Sequence, residues 1–180
     1  MTEQEIHDIC KKYKIKNYII NSDGSIDVDG NVNLVKKNLK EIPLKFNRVS
    51  GYFNCSNNNL TTLEGCPKKV DGNFYCHKNE LTSLEGCPKE VNGSFSCDRN
   101  NLTSFEFAPK IIRGEFSCQY NNIKSFEYFP SYVKNLWCDG NPIWEVWKLF
   151  RNTSKIELLN DFLETIGKPT VEKVKGYKNI

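Results

Sequence analysis

From Gly30 onward the chain repeats one pattern of apolar and polar positions. Phe53, Phe74, Phe95 and Phe116 stand 21 residues apart, and each is followed two residues later by Cys55, Cys76, Cys97 or Cys118. That alternation puts both series on one side of a short strand and the residues between them on the other. Leu60, Leu81, Leu102 and Ile123 recur five residues beyond the Cys, and Leu63, Leu84, Phe105 and Phe126 three residues further on. Full copies begin at Gly51, Gly72, Gly93 and Gly114. A degenerate copy begins at Gly30, and a last one keeps Val133, Leu136, Cys138, Asn141 and Ile143 with one residue deleted. A unit this short cannot bury its own apolar face and must stack on its neighbours. The pattern therefore predicts a β-rich α+β solenoid of about six coils over residues 30–143, with short parallel strands.

Within the unit, Gly51, Gly72, Gly93 and Gly114 precede the Phe by two residues, where a bend or bulge would open the strand. Pro67, Pro88, Pro109 and Pro130 open the return path, which suits an extended or tightly turned segment. Asn58, Asn79, Asn100, Asn121 and Asn141 are expected to turn inward and bond the backbone of a neighbouring coil, with Lys37 in their place in the first copy.

Both ends read as caps. Thr2-x-x-Glu5 followed by Ile6, Ile9, Cys10 and Tyr13 predicts a short amphipathic helix over about residues 3–13, and Asn17 to Val28 reads as a hairpin around Asp23-Gly24. Residues 1–29 thus form an N-terminal cap whose hairpin can cover the open edge of the first coil. After Pro142, the residues Trp144, Val146, Trp147, Leu149 and Phe150 predict a helix apolar on most sides. A second runs from Ser154 to about Ile166 and is stopped by Gly167 and Pro169. This gives a two-helix cap over 144–167, and the tail 168–180 is basic and is expected to be disordered or to act as a partner-contacting arm.

In the last copy, Val133-x-x-Leu136-x-Cys138-x-x-Asn141-x-Ile143 has the spacing LxxLxLxxNxL, and on that core the chain resembles the leucine-rich-repeat family. The wording FxCxxNxLTSLEGCPKxV, with the lead-in from Asn21 to Leu34, is similar to repeats in leucine-rich-repeat proteins of tailed bacteriophages and some bacteria. The likeness covers roughly the first four-fifths of the chain. It implies a horseshoe whose sheet side is concave and binds protein, a phage-encoded origin, and the host cytoplasm as the compartment. For chemistry it implies nothing.

Eight cysteines raise the question of disulfides or metal. Five share one ladder, Cys55, Cys76, Cys97, Cys118 and Cys138, and Cys66 and Cys87 share a position where later copies use Ala108 and Phe129. Replacement by Ala and Phe marks buried filler. There is no CxxC pair and there are two histidines, so free thiols, no metal and no cofactor are expected. Buried thiols at this density imply a reducing compartment, and the first twenty residues hold no apolar run of signal-peptide or membrane-spanning length, so a cytoplasmic protein without membrane attachment is expected. The net charge is +3, and residues 51–141 carry 9 basic and 10 acidic residues. Nucleic-acid binding, which needs many phosphate-neutralising cations, is not favoured.

Positions fixed between copies serve the scaffold, and positions that vary are free for recognition. The outward strand positions vary most. They form columns of Tyr52, Asn73, Ser94, Glu115 and Asn135; Asn54, Tyr75, Ser96, Ser117 and Trp137; Ser56, His77, Asp98, Gln119 and Asp139; and Asn57, Lys78, Arg99 and Tyr120. The candidate partner-binding set is Tyr52, Asn54, Asn73, Tyr75, His77, Ser96, Asp98, Arg99, Glu115, Gln119, Tyr120, Trp137 and Asp139, in which Tyr, Trp and Arg are the types enriched at interface hot spots. Trp137 is either an interface anchor or covered by the C-terminal helices. Cys76 and His77 are adjacent and point to opposite faces, which removes them as a nucleophile and base pair. Asp98 and Asp139 lie two coils apart, roughly 10 Å, with Gln119 between them. No catalytic constellation emerges. The leading expectation is a non-enzymatic module that binds a host or phage protein, such as a host defence factor that it inhibits. The alternative is capture of a small ligand or nucleotide by the concave face or the groove beside the C-terminal cap.

Overall fold

The computed structural model describes residues 1–145 together with 148, 164, 173 and 174. Helix α1 spans Glu3–Tyr13. Thr2 starts it with a reciprocal capping box: its hydroxyl accepts the Glu5 N–H at 3.3 Å and the Glu5 carboxylate accepts the Thr2 N–H at 2.6 Å. Lys14, left-handed at φ 58, ends it by donating its N–H to the carbonyls of Cys10 and Lys11. Ile6 and Cys10 form the buried stripe. Strands β1 (Tyr18–Ile20) and β2 (Ile26–Val28) pair antiparallel, as the Asp23-Gly24 turn requires.

Beyond this cap the chain winds a β-solenoid of about five turns, built from parallel strands. Each coil carries two short strands where the sequence pattern suggested one. The first series continues β2 through β4 (Phe46–Val49), β6 (Lys69–Val70) and β8 (Glu90–Val91). The second runs through β3 (Val32–Asn33), β5 (Phe53–Asn54), β7 (Phe74–Tyr75) and β9 (Phe95–Ser96). In β10 (Ile111–Ser117) and β11 (Tyr132–Trp137) the two join into one strand, with a register shift between Ile112 and Glu115 that marks the expected bulge at Gly114. After β4, which buries both Phe46 and Val49, the first series contributes one inward strand residue per coil, Val70, Val91, Ile112 and Val133, and one residue shows no alternation along the sequence.

The corner between the two series is a column of glycines. Gly51 N–H donates to Gly30 O at 2.8 Å, Gly72 to Gly51 at 3.0 Å, Gly93 to Gly72 at 3.0 Å and Gly114 to Gly93 at 2.9 Å. A Cβ on Gly72 would lie 2.7 Å from the Gly51 carbonyl oxygen, so the coils close to this spacing only without a side chain there.

Inside, the ladders stand as expected. Phe53, Phe74 and Phe95 are stacked with ring centroids 5.6 and 5.4 Å apart, and Phe116 meets Phe95 edge-on. Burying each ring is worth about 1.5–3 kcal/mol. The Asn ladder is buried, and each amide bonds its own coil and the one before it: Asn79 donates to the carbonyls of Cys76 at 2.9 Å and Cys55 at 3.1 Å, and accepts the Leu60 N–H at 3.1 Å.

Three end features differ from expectation or fall outside it. The hairpin covers the upstream edge of the first strand series, through β2 and β4, while among the described residues β3 pairs with β5 alone. Part of the basic tail, expected to be disordered or a free arm, forms β12 (Lys173–Val174) and pairs parallel with Tyr132 and Val133 of β11. The expected two-helix cap over 144–167 lies outside the described residues except for Trp144, Glu145, Lys148 and Glu164, which are helical.

Candidate binding face

The second strand series turns Phe and Cys inward, so its alternate residues face out. Tyr52, Asn54, Asn73, Tyr75, His77, Ser96, Asp98, Gln119, Trp137 and Asp139 are half-buried there, while Arg99, Glu115 and Tyr120 are exposed. The structure thus brings the sequence-selected residues onto one surface. Ser56, placed outward by the alternation, is buried, its hydroxyl donating to Asn54 at 2.6 Å.

Most of the polar groups on this face are bonded to one another. Asn73 donates to the Tyr75 hydroxyl at 2.7 Å and accepts the Ser94 N–H at 2.7 Å. Asp98 is the hub of the network. Its carboxylate accepts the Ser96 hydroxyl at 2.9 Å, the Ser117 hydroxyl, and the Gln119 N–H at 3.0 Å. Gln119 passes the chain of bonds on to Asp139. Ser96 also lies 3.2 Å from His77 Nδ1. Its single proton goes to Asp98, so the imidazole N–H donates to Ser96 Oγ. A serine that donates to a carboxylate and accepts from an imidazole is the reverse of an activated nucleophile. Burial holds the His77 pKa below its ordinary value against the pull of Asp98, which keeps the ring neutral at pH 7.

At the end of each second-series strand the chain turns through a left-handed residue, and this constraint was not read from the sequence. Lys36, Asn57, Lys78, Arg99 and Tyr120 have φ between 52 and 57, and Gly140 takes the same place in the last coil at φ 71. That glycine was the available signal. The Arg99 guanidinium lies over the Tyr120 ring, 4.3 Å from its centroid. Tyr120 in turn lies against Gly140, where a Cβ would come within 2.6 Å of the ring.

A second left-handed column lies on the return path, at Gly65, Gly86, Phe107 and Tyr128. Phe107 and Tyr128 are exposed, 52% and 58%, in a backbone state that costs a bulky residue about 1 kcal/mol or more. The Cys87 thiol donates to the Phe107 carbonyl at 3.1 Å.

All eight cysteines are free, and all but Cys87 are buried. Burial raises the thiol pKa throughout the Cys76, Cys97 and Cys118 ladder and pushes Cys87 up to about 12. Among the described residues no group of three or more His, Cys, Asp or Glu is placed to hold a metal ion, and no helix is long and apolar enough to cross a membrane.

A cavity of about 190 Å³ lies on the other strand series, lined by Asn17, Ile19, Asp27, Val28, Asp29, Arg48 and Ser50. It shares no residue with the outward columns of the second series, the face on which ligand capture was the alternative expectation. Arg48 is already engaged there, donating to Asp71 from Nε at 3.2 Å and from a terminal nitrogen at 2.6 Å. Comparison with known proteins finds no matching family model, no matching curated protein and no matching solved structure.

Proposed function

We propose that this chain is a non-enzymatic binding module of leucine-rich-repeat type, of six coils with a helical C-terminal cap, that engages a protein partner through the outward face of its second strand series. The observation that supports this reading is the division of labour within the repeat. The inward Phe, Cys and Asn ladders are nearly invariant from coil to coil and buried, whereas the outward columns change at almost every coil and place Tyr52, Tyr75, Arg99, Tyr120 and Trp137 on one surface. A scaffold needs only the first property; a specific recognition surface needs the second. The similarity in wording to phage repeats supports a phage origin and a host protein in the bacterial cytoplasm, such as a defence factor, as the target.

The test is affinity capture from bacterial lysate with the wild-type chain and with a Tyr52→Ala/Tyr75→Ala/Trp137→Ala variant of matched circular dichroism and melting temperature. A stoichiometric protein retained by the wild type and lost from the variant is expected. Equal capture by both, or none by either, overturns the reading.

A further inference from the structure

The hydrogen bonds of the face leave one charged element unspent. Asp98, Asp139, Ser96, Ser117, Gln119, Asn73 and Asn54 bond one another or the backbone, so few of their groups remain to answer a partner's charge. Lys78 and Arg99 stand apart. They occupy the left-handed corner of successive coils, both side chains are exposed, and among the described residues neither has a carboxylate within ion-pair distance. Nor does the Arg99 guanidinium donate a hydrogen bond there; its contact is with the face of the Tyr120 ring.

That contact is built rather than incidental. Gly140 leaves room for the Tyr120 ring to lie along the corner, and the ring carries the guanidinium on its face. Stacking immobilises an arginine while its in-plane N–H fork stays open, which lowers the entropy lost when the fork closes on an oxyanion. Tyr120, 49% exposed, offers an apolar surface beside it.

Resting on the binding face proposed above, we infer that Lys78, Arg99 and Tyr120 form the anchor of that face and receive a carboxylate of an acidic segment on the partner protein, Arg99 in a two-point hydrogen bond. A peptide carboxylate fits better than a nucleic-acid backbone. Arg99 directly follows Asp98 in the chain, and Gln119 carries the hydrogen bonds on to Asp139 further along the face, so a chain with a charge at every nucleotide would meet both carboxylates, whereas one or two glutamates flanked by neutral residues would not.

The experiment is a titration of the full chain followed by ¹⁵N–¹H spectra, including the arginine Nε–H region, with three probes. These are a ten-residue peptide holding two adjacent glutamates among serines and leucines, the same peptide with lysines for glutamates, and (dT)10. The glutamate peptide is expected to shift Lys78, Arg99 and Tyr120 and the Arg99 Nε–H. Its affinity should fall at least fivefold in Arg99→Ala, fall less in Arg99→Lys, which keeps charge but not the fork, and weaken as salt rises from 50 to 500 mM. Tyr120→Phe, which keeps the stacking ring, should bind as wild type. The inference is overturned if the lysine peptide binds equally, if (dT)10 binds more tightly, if the shifts fall elsewhere, or if Arg99→Ala binds unchanged. Protein captured from lysate with equal yield by wild type and a Lys78→Ala/Arg99→Ala variant would sink this anchor while leaving the binding face standing. Peptide binding here without lysate capture would do the opposite.

Discussion

The side-chain oxygen of Asn100 accepts the backbone N–H of Leu81, one coil upstream, at 3.0 Å. The amide nitrogen of the same residue donates to the carbonyls of Cys97 at 3.0 Å and Cys76 at 3.2 Å. With a longer bond to the Asp98 carbonyl at 3.3 Å, one buried side chain thereby bonds four backbone groups in two coils. Asn100→Ala is expected to lower unfolding stability by about 1–3 kcal/mol for the groups stranded. Asn100→Asp should be similarly costly, because a carboxylate accepts but cannot donate. Urea denaturation of both variants measures this, and a loss smaller than for an exposed control such as Asn101→Ala would contradict it.

Gly72→Ala places a methyl 2.7 Å from the Gly51 carbonyl oxygen, where backbone and not a flexible side chain must give way. The expected loss is about 1–3 kcal/mol. Gly93→Ala should behave alike, since the same column runs through it, and calorimetry on the two variants should give melting points below wild type by similar amounts.

The buried thiols set an alkaline limit. The folded pKa values of Cys76, Cys97 and Cys118 lie above the ordinary value of 9.0 because burial disfavours the thiolate, and the half-buried Cys87 is pushed up to about 12. Unfolding frees those protons at a lower pH than the folded chain does. The contribution to stability is therefore complete below pH 9 and is lost as pH rises from about 9 towards 12. Each such cysteine adds about 1.4 kcal/mol of loss per pH unit within that window. Melting temperatures across pH 7–11 should fall steeply above pH 9. Native protein should react with a thiol reagent at far fewer than eight sites, and denatured protein at all eight.

Tyr128 holds a left-handed backbone at φ 60, at a place where two earlier coils use Gly65 and Gly86. The residue is 58% exposed, so little burial is lost with its side chain. Tyr128→Gly is expected to raise stability or leave it level, with relief of strain of about 1 kcal/mol set against the greater freedom of glycine in the unfolded chain. A fall of more than about 1 kcal/mol would show that the ring is held by contacts that matter.

Much of the architecture was legible because the repeat reports on itself. Phe74 and Cys76 recur in phase with Phe95 and Cys97, and that phase alone gave the inward ladders, the buried thiols and the outward columns. The paired strands were not legible, since Val70 and Val91 mark the first series with a single apolar residue each. The site was legible as a list of positions and not as a network. That Asp98 would gather Ser96, Ser117 and Gln119 depends on neighbours brought alongside by a parallel register, and spacing along the chain does not reveal how their protons are shared. The left-handed corner at Arg99 and Tyr120 was hidden for a different reason. Five coils fill it with long or polar side chains, and only Gly140 betrays the backbone.

The glycine column also has a mechanical meaning. Its hydrogen bonds, from Gly51 to Gly30 through to Gly114 to Gly93, run along the axis of the stack. Tension applied along that axis loads one rung at a time, as a zip is opened, whereas tension across it would have to shear a whole rung of bonds together. Every rung that parts frees 21 residues, as counted from Gly72 to Gly93, or about 70 Å of extended chain. Held by its two ends, the molecule is a spring that lengthens in equal steps.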